Sequence, residues 1–215
     1  MMSDTLFLSL WYPNLRLASL ADKLVAVLNT FAAHGGVDRV YSATAWPVDW
    51  SETPVFQQIY GRRAQVPGEN QEPQPLGALP REAVVEALEQ LHEDFAYEFQ
   101  IGWNLWEPET EGGLDPRWQR QQRLVRVVGY GPLFDGGSYE AEGHIRIDFG
   151  SDAPFLDEEF EEDEIASRYV RENIRQLIDL ASALEKSSGA TARLLWSELG
   201  ENLAERLAAR LGVRN

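Results

Sequence analysis

Residues 139–149, YEAEGHIRIDF, alternate without exception: each odd position is apolar or glycine, and each even position is charged or histidine. Because the side chains of a β-strand point to its two faces in turn, this period of two predicts a strand with one buried face and one face in water. The ionisable residues on the second face are Glu140, Glu142, His144, Arg146 and Asp148. A chain with this segment must build a sheet that buries one face and leaves the other polar.

The same periodicities divide the rest of the chain into strands and helices. Strands are predicted at 6–12, 40–46, 95–105 and 124–130. Helices are predicted at 20–34, 80–91, 165–184 and 195–211, with a further short helix at 55–60. Proline at position 80 suits the first turn of a helix, and the glycines at 35, 36 and 189 end helical patterns.

This order of elements predicts an α+β fold. An N-terminal β-α-β unit is followed by one helix, a meander of three strands between residues 95 and 149, and two C-terminal helices. Strands that follow one another through loops pair antiparallel, so we expect a mainly antiparallel sheet with the helices packed on one face.

Residues 1–215 are predicted to form a single α+β domain. The stretch 62–80 is rich in Pro, Gly, Gln and Glu, which is typical of a linker and marks a possible internal boundary. Residues 151–164 form an acidic connection to the C-terminal helices, predicted over 165–212.

The composition excludes several classes of protein. The chain has no cysteine, which removes disulfides, thiolate metal sites and cysteine nucleophiles. No apolar run approaches the ~18 residues of a membrane span, and the start, MMSDT, lacks the basic and apolar regions of a signal peptide. We therefore expect a soluble, cytoplasmic protein that does not bind a membrane.

The net charge of −16 is unevenly distributed. Residues 151–164 contain eight acids and no base, and residues 81–150 contain fourteen acids against six bases, so these two segments carry the whole net charge. Such a field repels nucleic acid and attracts cationic partners. We predict a basic protein partner and no nucleic-acid binding; solubility is the alternative explanation of the charge.

The polar row on 139–149 allows two interpretations. If the protein is an enzyme, its candidate catalytic residues are His144, Glu142, Arg146 and Glu98, because a histidine between an acid and a base on one face is suited to acid–base chemistry. The alternative is a solvated sheet face held by cross-strand ion pairs. The second is favoured, since a single strand does not bring groups from different elements into one pocket.

Neither a metal nor a cofactor is predicted. The three histidines, His34, His92 and His144, belong to different elements and to no metal-binding pattern. The acidic run 157–164 lacks the glycine and the spaced ligands of a calcium loop. The turn 129–137 contains several glycines but is neither GxGxxG nor followed by a helix, so it does not predict a phosphate site.

The leading hypothesis is a non-enzymatic, acidic protein-binding module. The chain has seven tryptophans, and large aromatic residues beside acidic loops are typical of interfaces. The residues predicted to bind the partner are Asp157, Glu158, Glu159, Glu161, Glu162, Asp163, Trp106 and Trp118. In its small size, acidity and α+β character the chain resembles bacterial immunity and antitoxin-type inhibitors, although no diagnostic motif carries that likeness. The alternatives are a hydrolase-like enzyme using His144 and Glu142, and a structural or assembly subunit that oligomerises through the C-terminal helices.

Overall fold

Seven strands form one sheet, and every pair of neighbours in it is antiparallel. The computed structural model describes residues 4–61, 77–109, 117–156, 163–198 and 203–212. The strands are β1 Thr5–Trp11, β2 Val40–Pro47, β3 Phe56–Ile59, β4 Phe95–Pro108, β5 Trp118–Tyr130, β6 Ile145–Ser151 and β7 Ala192–Ser197. Their order across the sheet is β3-β2-β4-β5-β6-β1-β7.

Six α-helical segments accompany the sheet in the described residues. They are α1 Leu20–Gly35, α2 Pro80–Ala87, α3 Tyr139–Glu142, α4 Ala153–Leu156, α5 Glu164–Ser188 and α6 Leu203–Leu211. Two short 3₁₀ turns cover Leu17–Ser19 and Phe134–Gly136. The predicted α+β class with a mainly antiparallel sheet is confirmed.

The main hydrophobic core lies between the sheet and the long helices α1 and α5. Its fully buried members include Leu8, Phe99, Val127 and Ile147 from the strands and Leu28, Phe31, Ile174 and Leu177 from the helices. Alternation in β4 places Phe95, Tyr97, Phe99, Ile101, Trp103 and Leu105 on this face, as predicted. Strands β4, β5 and β6 form the predicted meander, whereas β1 and β2 are separated by all three of them.

The strand predicted at 139–149 begins only at Ile145. Residues Tyr139–Glu142 form the short helix α3, and Gly143 then adopts a φ of 90°. A Cβ on Gly143 would lie 2.9 Å from the backbone nitrogen of Leu10, so the chain turns here against β1. The alternation of apolar and charged residues over 139–142 is equally compatible with one turn of helix. The close approach of Gly143 to Leu10 of β1 decides between strand and helix for these residues.

Two further segments are edge strands, although helices are predicted over 55–60 and 195–211. Residues 56–59 pair with β2, and residues 192–197 pair with β1, where Trp196 stacks on Phe7 with ring centroids 4.5 Å apart. Their apolar residues recur at three- or four-residue spacing, which imitates a helix. Both segments instead pair with the free edge of a longer strand, because this pairing gives hydrogen-bond partners to backbone groups that are otherwise left without them.

Helix α5 supplies hydrogen bonds to β4 that a neighbouring strand would otherwise make. Strand β2 begins at Val40, opposite Ile101, so the half of β4 that follows Ile101 has no strand partner on that side in the described part of the chain. Asn173, which is fully buried, fills the gap: its Oδ1 accepts the Trp106 N–H at 2.9 Å, and its Nδ2 donates to the Trp106 carbonyl at 2.9 Å. The same Nδ2 donates to the carbonyl of Pro154 at 3.0 Å. One side chain thereby ties α5 to the sheet and to α4.

None of the helices in the described ranges is both long and apolar enough to cross a membrane.

Val48 holds a backbone conformation that β-branched residues avoid. Its φ is 60°, its side chain is exposed, and its carbonyl accepts the N–H of Asp135, another residue with positive φ. Since glycine adopts this region without steric strain, we expect Val48→Gly to raise the free energy of unfolding by about 1 kcal/mol. Urea denaturation measures the change. Val55→Gly, at a similarly exposed position with negative φ, should instead destabilise by about 0.5–1 kcal/mol; equal effects at the two positions would contradict the strain at Val48.

Candidate functional site

Ionisable side chains from three neighbouring strands meet on the sheet face opposite α1 and α5. The strand register aligns Glu98 of β4, Val128 of β5, Arg146 of β6 and Ser9 of β1 in one row across the sheet. The adjacent row contains Gln100, Arg126, Asp148 and Phe7 in the same strand order. This brings Glu98 and Arg126, which lie on two other strands, beside the neighbouring pair Arg146 and Asp148 of β6.

This group is an ion network and is mostly removed from water. Arg126 bonds Asp148 at 2.7 Å and lies 3.6 Å from Glu98, while Arg146 pairs with Glu142. The side chains of Glu98, Asp148 and Arg146 are only 13%, 15% and 11% exposed. The expectation of a face in water is therefore wrong for this part of the sheet.

Aromatic residues and a loop account for the burial. A second, smaller cluster packs on this face, formed by Ala96, Val128, Tyr130 and Phe134 with Trp46, Trp50 and Tyr139 at its edge. The guanidinium of Arg146 lies 5.4 Å from the ring of Phe7 and 5.6 Å from the ring of Tyr130. Glu142 then closes the arrangement, since its carboxylate also accepts the Tyr130 hydroxyl at 2.7 Å. The guanidinium of Arg146 lies between the rings of Phe7 and Tyr130, and its Nε is buried without a hydrogen-bond partner in the described residues.

Burial dominates the ionisation of the network. Desolvation raises the pKa of the Glu98 carboxyl, although the Arg126 guanidinium and the neighbouring Trp46 side chain favour its charged form. Desolvation and the Glu142 carboxylate raise the pKa of Tyr130, against the influence of Arg146. Both groups therefore hold their protons more firmly in the folded protein than in the unfolded chain.

The raised pKa of Glu98 gives a pH-dependent prediction. A carboxyl group whose pKa rises on folding contributes stability below its unfolded pKa and loses it as the pH rises through the folded pKa. We expect Glu98→Gln to raise the thermal midpoint at neutral pH, with a gain that shrinks as acid protonates Glu98 in the wild type. Differential scanning calorimetry across the acidic range measures it. Glu89→Gln, at an exposed position, is the control; a Glu98→Gln variant less stable than wild type at neutral pH would show that the Arg126 contact outweighs desolvation.

His144 does not lie between Glu142 and Arg146 as predicted. Its ring enters a separate concave pocket of about 300 Å³ at the end of the sheet, where Tyr12, Tyr130, Tyr139, Leu15 and Leu17 form the walls with Asn14 and Pro132. The Tyr139 ring lies 4.9 Å from the imidazole. Burial lowers the pKa of His144, which favours the neutral imidazole.

The hydrogen bond to His144 assigns its tautomer. Nδ1 accepts the backbone N–H of Tyr12 at 3.1 Å, so the proton of the neutral ring resides on Nε2. The lone pair that a general base needs is therefore occupied by a backbone donor. No carboxylate lines the pocket within the described ranges. Of the candidate catalytic residues, Glu98, Glu142 and Arg146 come together in the ion network, and His144 is separate from them.

One of the acidic residues predicted to bind a partner caps a helix, and the structure does not describe the others. Asp157, Glu158, Glu159, Glu161 and Glu162 lie outside the described residues. Asp163 is the N-cap of α5, where its Oδ1 accepts the N–H groups of Ile165 at 2.8 Å and Ala166 at 3.2 Å. That is a structural role, and it leaves the carboxylate only partly available to a partner.

Trp106 and Trp118 form the two sides of an aromatic cluster around Tyr169 of α5. Their rings lie 4.6 Å and 5.3 Å from the Tyr169 ring, and both indoles are half-buried. Arg120 covers the outer face of Trp106 at 5.1 Å. These tryptophans hold the hairpin of β4 and β5 against α5, which is the packing role that large aromatics at a core edge usually have.

Sequence reasoning missed an acidic stripe that begins on helix α2 and continues beyond its end. Glu82, Glu86 and Glu89 follow one another at helical spacing and are exposed, and Glu93 follows in the next turn of the chain. None of these four carboxylates forms an ion pair with a described residue. The i, i+4, i+7 spacing after Pro80 was the signal that could have revealed them.

No group of three or more His, Asp or Glu side chains in the described ranges could hold a metal ion. The chain matches no known protein-family model, no curated protein and no solved structure.

Proposed function

We propose that this protein is a non-enzymatic, acidic protein-binding module that engages a basic protein. By presenting negative charge, it would inhibit a toxin or another enzyme that acts on nucleic acid. The net charge of −16 supports this proposal, as do the eight acids of residues 151–164.

The observation that carries the proposal is the acidic surface of α2 and of the residues just after it. Glu82 and Glu86 each accept one local hydrogen bond, but Glu82, Glu86 and Glu89 form an exposed row that has no cation partner among the described residues. Exposed Val85 lies among them. A row of acids around an apolar residue has the composition of a binding rim and its centre.

The geometry disfavours the two alternatives, a hydrolase-like enzyme and an assembly subunit. The enzyme hypothesis needs His144 as a catalytic base, but the Nδ1 lone pair already accepts the backbone N–H of Tyr12. The assembly hypothesis requires the C-terminal helices to offer apolar residues to another subunit, but Leu203 and Leu207 of α6 are 6% and 5% exposed and pack inside the core of the same chain. Changing either leucine to glutamate would test the fold and not the oligomeric state.

The proposal is tested by affinity capture from the native host at low and moderate salt, with mass spectrometry of the captured proteins. Two neutralised variants are compared with the wild type: Glu82→Gln/Glu86→Gln/Glu89→Gln, and the replacement of Asp157–Glu162 acids by their amides. We expect a basic protein to be enriched by the wild type, and one or both variants to lose it. Glutamine preserves the two local hydrogen bonds of the stripe, from the Leu79 N–H to residue 82 and from the Tyr60 hydroxyl to residue 86.

A matched control removes the same charge elsewhere. Asp22→Asn/Glu140→Gln/Asp179→Asn neutralises three exposed acids from other parts of the surface and should retain the partner. Absence of any basic partner would refute the proposal, and equal loss in all three variants would reduce it to non-specific attraction by net charge.

A further inference from the structure

We infer that edge strand β3 receives an extended, lysine- or arginine-bearing segment of the partner as an eighth strand of the sheet. This inference rests on the proposed function and names the surface and the binding mode.

Strand β3 has an open side. It is the last strand of the sheet order and pairs only with β2 among the described strands. The Tyr60 N–H donates to the Tyr41 carbonyl at 2.8 Å, which shows that the even-numbered residues of this segment direct their backbone groups toward β2. Because alternate residues of a strand point their backbone groups to opposite sides, Gln57 and Ile59 present theirs to the open side.

Apart from its short length of four residues, this edge lacks the protection that edges usually carry. Lysine, proline or an inward charge blocks many natural edge strands, and Phe56–Ile59 contains none of these. The opposite edge, β7, is different: it carries Arg193, whose guanidinium lies 3.2 Å from Glu185.

Apolar side chains are exposed around the same edge. Ile59 is 71% exposed, the largest value among the exposed large hydrophobic residues that the structure describes, and Val55, just before β3, is 53% exposed. The Tyr60 hydroxyl donates to Glu86 at 2.7 Å, and a bridge between Val40 and Ala78 holds the start of α2 against β2. Exposed Leu79 and Val85 are thereby attached to the same corner of the molecule.

The charge around the edge favours a basic occupant. Glu82 and Glu86 are on the helix that Tyr60 joins to β3, and Glu89 follows just after the end of this helix. A strand added at this edge lies beside carboxylates that have no cation partner among the described residues. A segment with alternating apolar and basic residues complements both features, since its apolar side chains meet Ile59 and its cations meet α2. A second copy of this chain is disfavoured, because it would bring two acidic helices and two net charges of −16 together.

The test uses the intact protein and two synthetic peptides of about ten residues, close to the length of a long strand. One alternates lysine and valine, and the other alternates lysine and glycine, which has the same charge but a poor strand propensity. Fluorescence anisotropy measures the dissociation constants. Amide hydrogen exchange by NMR reports on Gln57 and Ile59. We expect the lysine–valine peptide to bind at least about tenfold more tightly, and to protect those two amides.

Three variants localise the binding. Gln57→Pro removes an outward N–H without removing a hydrogen bond to β2, and Ile59→Lys adds the missing protective charge; both should reduce binding of the lysine–valine peptide to the level of the lysine–glycine peptide. Leu194→Lys, at an exposed position on β7, should leave it unchanged. Circular dichroism verifies that each variant is folded.

The outcomes separate the inference from the function on which it rests. If both peptides bind equally and the two amides stay unprotected, attraction by charge stands and strand addition is refuted. If neither peptide binds, the proposed function fails as well. If light scattering shows a dimer and the amides are already protected without peptide, the occupant is a second copy and the inference is overturned.

Discussion

Replacing Asn173 by leucine is expected to destabilise the protein by about 3–5 kcal/mol. Leucine has a similar size but leaves three backbone groups without a partner: the partly buried N–H and carbonyl of Trp106 and the buried carbonyl of Pro154. Each buried polar group that loses its hydrogen bond costs about 1–3 kcal/mol. A loss of this size is a large fraction of the stability of an ordinary domain. Equilibrium urea denaturation followed by tryptophan fluorescence measures it.

Gln176 provides a matched control on the same helix. It also reaches from α5 to β4, donating to the Asn104 carbonyl at 3.3 Å and to the His34 carbonyl at 3.2 Å, but it is only half-buried and its contacts are longer. We expect Gln176→Leu to cost about 1 kcal/mol. If the two variants were equally stable, Asn173 would not be replacing a strand partner for β4.

Arg146→Met is expected to lower the free energy of unfolding by about 2–3 kcal/mol. Methionine fills most of the space between Phe7 and Tyr130 but removes the cation that Glu142 pairs with. Breaking a buried pair typically costs 3–5 kcal/mol, and the 31% exposure of the Glu142 side chain reduces that cost because water can reach the remaining charge. Adding Glu142→Gln to this variant should recover part of the lost stability. The amide oxygen still accepts the Tyr130 hydroxyl, and no unpaired charge is left at this position.

Arg120→Met tests whether burial causes the effect. Arg120 also pairs with a glutamate, Glu172 at 2.8 Å, and also covers an aromatic ring, but both side chains of the pair are 44% exposed. An exposed pair contributes at most about 1 kcal/mol. A double-mutant cycle for each pair, measured by urea denaturation, should therefore give a large coupling energy for Arg146 with Glu142 and a small one for Arg120 with Glu172. Equal couplings would show that the sheet face around Arg146 is solvated after all.

The ion network was only partly accessible to sequence reasoning. Alternation in 95–105 and 124–130 already places Glu98, Arg126 and Tyr130 on the polar side of their strands, and the antiparallel meander makes them neighbours of Arg146 and Asp148. Their burial was not accessible, because it depends on a loop and on aromatic residues from 46–50 and 131–142 that fold over this face. His144 was misplaced for a related reason: Gly143 turns the chain against β1 just before it.

Local periodicity was sufficient for the long elements. Strand β4 and helices α1 and α5 follow from patterns of ten or more residues, because burial of one face over that length requires a single backbone period. The short segments 56–59, 139–142 and 195–197 were assigned wrongly, since so few residues fit either period. Their structure depends on which exposed backbone or side chain they meet, and those contacts join residues far apart in the chain. The unprotected edge of β3 and the amide of Asn173 beside Trp106 exist only through such long-range contacts.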